Sequence, residues 1–217
     1  SGQARMTDFE IVGGVDYLKN LSDYDVIVRS PGVKRNLPEL LEAEQKGVVT
    51  TSQTKIFFDL CPCKIIGVTG TKGKSTTSTL IYEILKKDGK NVYLGGNIGQ
   101  PALDFLDKLN EHSWTVLELS SFQLQDIKKS PNIAVVLMIG EEHLDYHKTY
   151  ETYIDAKRNI LRFQNPEDFA IINRDYPVSY ESEVYTKGKV FWISRERKCE
   201  NGCYVEGDVV WINKDGK

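Results

Sequence analysis

The chain has 217 residues, with 28 Lys plus Arg against 31 Asp plus Glu and a formal net charge of -3. An apolar fraction of 40%, with 17 Gly and only 7 Pro, excludes collagen-like, low-complexity and wholly disordered classes, and the length allows one large domain or one domain with part of another. So small a net charge gives no global attraction to nucleic acid or an anionic membrane; any polyanion must be held by a local site.

In chain order, the opening residues carry no clear start of a fold. A short strand at 25–29 ends in the turn signal Ser30-Pro31-Gly32. A helix over 37–46, VVTT at 48–51 and an apolar patch at 56–60 follow, and the character changes near Cys61-Pro62-Cys63. From there strands are expected at 65–69, 91–94, 115–119, 133–139, 169–173 and 190–193. Helices are expected at 74–87, 101–109 and 150–163. Continuous apolar strands alternating with helices predict an α/β fold, a mostly parallel sheet with helices on both faces. The expected domains are 1–62, part of a Rossmann-like N-terminal domain, and 63–217, a P-loop-type central domain ending in a hairpin after Ser194. The longest apolar run, 133–139, is far shorter than the roughly 20 residues that cross a bilayer, and no targeting pattern opens the chain. A cytoplasmic monomer, with no nucleic-acid or membrane partner, is the expectation.

The strongest chemical signal is IIGVTGTKGKSTT, residues 65–77. A buried strand running through Gly70, Thr71, Lys72 and Gly73 into a helix that opens on Lys74, Ser75 and Thr76 aims backbone N–H groups and a helix dipole at one point, which suits a phosphate. Lys74 would reach the β/γ-phosphates and the Ser75 hydroxyl would ligate magnesium. The glycines are three apart rather than five, making this a short variant of the P-loop. Glu118, at the end of an expected parallel strand, is placed to face that loop and hold a metal, although a carboxylate there is more often a solvated loop residue. In EEHLDYH, His143 alternates with Asp145 and His147 after another strand, a metal-like pattern. Lys157 falls in an otherwise apolar helical stripe with Tyr150, Tyr153, Ile154, Ile160 and Leu161. It reads either as a snorkelling lysine or as a desolvated, modified or catalytic one. The four cysteines fall in two close pairs whose spacing does not match the usual zinc knuckle, so reduced thiols are expected.

Together these residues resemble the Mur ligase family, ATP-dependent enzymes that add amino acids to the peptidoglycan precursor. The resemblance rests on GTKGKST (70–76), GGNIG (95–99), ELSSFQL (118–124), EEHLDYH (141–147) and YIDAKRNI (153–160), and covers nearly the whole chain. GGNIG and ELSSFQL are most similar to the branch that adds D-glutamate. The resemblance implies that residues 70–76 bind the ATP phosphates and that Ser75 and Glu118 bind one Mg2+. Lys157, as its carbamate, and His143 would help bind a second. Ser30, Asn97, Ser120 and Gln123 would face UDP-N-acetylmuramoyl-L-alanine, the other substrate being D-glutamate, with an acyl phosphate as intermediate. Departures are Lys72 for the family's frequent Asn, Glu142 and Tyr146 in the histidine stretch, and Met138 for a usual Asn. The family's glycine-rich opening, adenine-contacting segment and C-terminal amino-acid-binding domain are not in these residues. The chain is therefore expected to be a piece, with weak nucleotide binding and no complete turnover. A folate-polyglutamating or cyanophycin-type ligase and a non-catalytic nucleotide-binding module remain the alternatives. ELSSFQL weighs against the first, and the joint presence of Lys74, Ser75, Glu118, His143 and Lys157 against the second.

Overall fold

The structure is a computed structural model that describes residues 12–140, 147 and 149–214. Its contacts divide the chain into two units, Ser1–Thr51 and Ser52–Lys217. The division falls earlier than the boundary expected at residue 62. The cause is the helix α2 (Gln53–Leu60), which contains the apolar patch at 56–60 and whose Phe57 packs edge-on against Phe105 at 5.7 Å in the core of the second unit.

In the first unit, β1 (Val26–Arg29) and β2 (Val49–Ser52) form a two-stranded sheet, with α1 (Pro38–Gln45) between them in sequence. Pro38 opens α1, where its missing N–H costs nothing, and the residue before it, Leu37, is extended as a residue preceding proline must be. Ser30 closes a turn after β1, its carbonyl accepting from the Val33 N–H at 3.0 Å.

The second unit is built on an eight-stranded sheet in the order β10-β9-β8-β7-β6-β3-β5-β4. The strands are β3 (Lys64–Thr69), β4 (Val92–Gly96), β5 (Trp114–Glu118), β6 (Ile133–Val136), β7 (Phe169–Asn173), β8 (Lys189–Ser194), β9 (Gly202–Glu206) and β10 (Val209–Asn213). All neighbours pair in parallel except β9 and β10, which form the hairpin expected after Ser194. Period-two alternation sorts the central strands to two faces. Ile66, Val68, Val116 and Val135 pack with Ile81, Tyr82 and Leu85 of α3 (Lys74–Lys87). Ile65, Leu117, Leu119, Ala134 and Val136 face the other way, into the larger core with Phe57, Phe105, Leu124, Tyr153 and Ile160. That face is covered by α2, α4 (Ser121–Leu124) and α5 (Tyr150–Arg162). A short helix, α6 (Pro177–Tyr180), follows β7.

Two expectations need adjustment. The stretch 101–109 forms a 3-10 segment, Ala102–Lys108, rather than an α-helix, with Phe105 stacked on Tyr93 at 5.3 Å and anchored by Phe57. The strand expected over 133–139 stops at Val136, because the following backbone leaves the ladder to bond the glycine loop: the Thr71 N–H donates to the Met138 carbonyl at 2.6 Å. Among the described residues no helix is long and apolar enough to cross a membrane.

Candidate active site

Strand β3 lies between β5 and β6, so the chain leaves it in one direction and returns on its other side. In an open parallel sheet, such a reversal opens a crevice beyond the carboxyl ends of the strands. The loop 70–73 and the start of α3 occupy that end of β3. Gly70 has φ 154° and a Cβ there would lie 2.8 Å from the Leu137 Cβ, while Gly73 takes φ 84° as the residue preceding α3; both positions call for glycine. The first N–H groups of α3 lack intrahelical acceptors and point into the crevice.

Thr71 fastens the loop. Its hydroxyl donates to the Gly140 carbonyl at 3.0 Å, accepts from the Gly140 N–H at 2.9 Å and meets the Tyr153 hydroxyl at 3.0 Å. A single hydroxyl has one proton, so the Tyr153 O–H is the donor when Thr71 donates to Gly140. Sequence reasoning missed Tyr153 as a site residue, although it lies four residues before Lys157 and so on the same helix face. Two lysines converge on the loop. Lys74 Nζ donates to the carbonyls of Gly70 and Thr71, each at 3.0 Å, and Lys157 Nζ donates to the same Gly70 carbonyl at 2.8 Å. Lys157 is 2% exposed and its ammonium sits 4.7 Å from the centre of the Tyr153 ring. The snorkelling alternative is thereby excluded: the amine turns inward to the glycine loop.

Glu118 ends β5 beside the loop and is 2% exposed. One carboxylate oxygen accepts from the Ser75 hydroxyl at 2.6 Å and the other from the Asn97 amide at 3.0 Å. The solvated-loop alternative for Glu118 is thus set aside. Asn97 is also fixed through its backbone, whose N–H donates to the Glu118 carbonyl at 2.8 Å. The preceding Gly96, at φ 96°, makes this approach achievable, because a Cβ would overlap the Glu118 carbonyl oxygen. Asn97, expected to face the substrate, therefore also orients the acidic side chain.

Ser120 and Gln123 are joined in a capping box at the start of α4. The Ser120 hydroxyl accepts from the Gln123 N–H at 3.3 Å, and the Gln123 side-chain oxygen accepts from the Ser120 N–H at 3.0 Å. Next to them the His147 ring bonds the Ser121 hydroxyl at 2.9 Å and stacks on Phe122 at 5.4 Å. Thus Gly70, Thr71, Lys72 and Gly73 form the loop and Lys74, Ser75 and Thr76 the first turn of α3; Lys157 bonds the loop at Gly70, Glu118 bonds Ser75, and Asn97 joins them through Glu118. Ser30 belongs to the first unit, and His143, with Asp145, lies outside the described residues.

A Mur ligase middle domain profile matches residues 68–201. The chain belongs to the Mur ligase family. Among curated relatives, UDP-N-acetylmuramoylalanine--D-glutamate ligase of Acetivibrio thermocellus is 43% identical over 203 residues, which is 94% of this chain and 44% of that protein. The protein of the same name from Ruminiclostridium cellulolyticum is 43% identical over 189 residues, 87% of this chain and 41% of its own. The chain thus spans less than half the length of these Mur ligases. Among solved structures, the ligase MPL from Neisseria meningitides superposes with a TM-score of 0.59 at 18% identity, over 90% of this chain and 66% of that one. MurF from Thermotoga maritima, solved with ADP, gives 0.54 at 18% identity over 89% and 58%. At these identities the likeness shows the α/β fold, including the parallel sheet that sequence patterning predicts.

Proposed function

We propose that this chain carries the ATP-handling centre of a ligase that joins D-glutamate to UDP-N-acetylmuramoyl-L-alanine during cytoplasmic peptidoglycan precursor synthesis. The observation that carries the reading is the meeting of two lysines on the Gly70 carbonyl beside the buried Ser75–Glu118 pair, within a chain 43% identical to a relative of that name. The Lys74 ammonium and the start of α3 supply positive potential where a triphosphate would lie, in a molecule whose overall charge does not.

The donor chemistry fits Mg2+. Ser75 and Glu118 present hard oxygen donors 2.6 Å apart, the type magnesium selects, and would hold one ion. A bound Mg2+ would neutralise charge on the phosphoryl oxygens. As an amine, Lys157 offers no ligand while protonated, and only its carbamate would add oxygens for a second ion; His143 is the other residue assigned there. Lys74 would move from the loop carbonyls to the β/γ-phosphates, and the loop amides would fix the γ-phosphoryl group in line with the substrate's terminal carboxylate. That carboxylate attacks phosphorus and ADP leaves. The amine of D-glutamate then attacks the acyl phosphate carbon, releasing phosphate and forming the amide. Positioning and charge neutralisation suffice, so no nucleophilic side chain is needed.

Calorimetry of ADP and ATP binding to this chain, with and without Mg2+, tests the centre. Mg2+-dependent binding that Lys74→Ala abolishes is expected; binding indifferent to both would overturn the reading. In a protein of the relatives' full length, ADP release should require both UDP-N-acetylmuramoyl-L-alanine and D-glutamate, and release driven by a folate would favour the alternative ligase. A labile adduct with the mass of carbon dioxide on Lys157 would support the carbamate.

A further inference from the structure

Away from the loop, at the opposite end of β3, the Cys61 and Cys63 sulfurs lie 3.6 Å apart. The sequence explains the approach. A residue before proline is driven to extended backbone, and Cys61 has φ -62° and ψ 120°. In extended chain, residues two apart share a face, so Cys-Pro-Cys turns both thiols the same way. Cys61 terminates α2, with its N–H bonded to the Phe57 carbonyl at 2.8 Å, and Cys63 immediately precedes β3. Both ends of the tripeptide are therefore fixed, while both sulfur-bearing side chains keep partial solvent access.

We propose that Cys61 and Cys63 form a reactive dithiol that low-molecular-weight disulfides convert reversibly to an internal disulfide. The Cys61 thiolate attacks one sulfur of the small disulfide, forming a mixed disulfide and expelling one small thiolate, which takes up a proton. Cys63 loses its proton and attacks the Cys61 sulfur, expelling the second small thiol. The protein gives up two electrons and two protons, and the small disulfide is reduced to two thiols. A thiolate accepting a hydrogen bond from the neighbouring thiol is stabilised, which lowers Cys61 to about 7 and pushes Cys63 up. Cys199 is the internal contrast: it is buried, and burial raises its pKa. The short second step follows from the 3.6 Å separation, which places the Cys63 sulfur beside the Cys61 sulfur it must attack.

The test is reaction of the 217-residue chain with glutathione disulfide, followed by peptide mass spectrometry. The expected product is the peptide holding both cysteines, lighter by two hydrogen atoms and restored by dithiothreitol, its rate rising as pH passes through about 7. Cys63→Ser should halt the reaction at a stable glutathione adduct on Cys61, and Cys61→Ser should slow uptake at this peptide by about tenfold. Circular dichroism confirms that each variant folds. Persistent mixed disulfides on the unaltered chain, or faster modification of Cys199 than of Cys61, would overturn the proposal.

Discussion

Glu118 depends on its neighbours more than on its own strand, because Asn97 and Ser75 each take one of its oxygens. Groups that orient a metal-binding carboxylate typically change metal affinity when removed, so on the role proposed for Glu118 Asn97→Ala should weaken Mg2+-dependent nucleotide binding by roughly 10–100-fold with little loss of Tm. Calorimetry beside a melting curve separates the two effects. Gly96 is the opposite case. A side chain there meets both a left-handed backbone and the Glu118 carbonyl, so Gly96→Ala should cost at least about 2 kcal/mol, read from urea denaturation. The residues with chemical identity were legible in the sequence: a lysine and serine after glycines, a glutamate ending a strand and a lysine interrupting an apolar stripe. Their partners were not. Thr71 with Tyr153 and Asn97 with Glu118 are contacts across the fold, and no local pattern encodes which hydroxyl meets which amide.

At the scale of elements, α5 carries Lys157 to the loop, and its outer face bears a pair that can be titrated. Arg162 binds Asp155 in a close, two-nitrogen contact and holds the Asp155 carboxyl below its ordinary value. A depressed carboxylate contributes stability above its unfolded pKa, about 3.9, and loses it as pH falls through the lower folded value. Since the Asp155 side chain is 59% exposed, the contribution is at most about 1 kcal/mol. Asp155→Asn should therefore lower Tm by no more than about 2–4 °C at pH 7, with the difference from the unaltered chain starting to shrink as pH falls below about 4 and gone only below the depressed folded value. Melting curves across that range check it. Element type was legible wherever apolar periodicity was long, as in α3 and α5. It failed at Ala102–Lys108, where one ring packed between Tyr93 and Phe57 decides the backbone. The end of β6 was missed for a related reason, because its last backbone groups are used by the loop of another strand.

On the scale of the whole molecule, among the described residues both apolar clusters draw only on those from Phe57 onward. A chain beginning at Ser52 should consequently keep a cooperative thermal transition, monitored by circular dichroism; a non-cooperative melt would show that the first unit is needed for the core. The parallel sheet was legible because strands buried on both faces read as unbroken apolar runs. Strand order was not, since it depends on which side of β3 each returning strand takes. That order has a consequence for how the molecule tolerates change. Thr69 pairs with Val136, and this alignment brings Met138 opposite Thr71. Sliding β6 by one residue would turn Val135 and Val136 to the wrong faces and in the same movement carry away the loop's backbone anchor. Core and glycine loop are therefore graduations on one ruler: substitutions that preserve packing preserve the loop's alignment, and a β6 slip cannot leave one intact while losing the other.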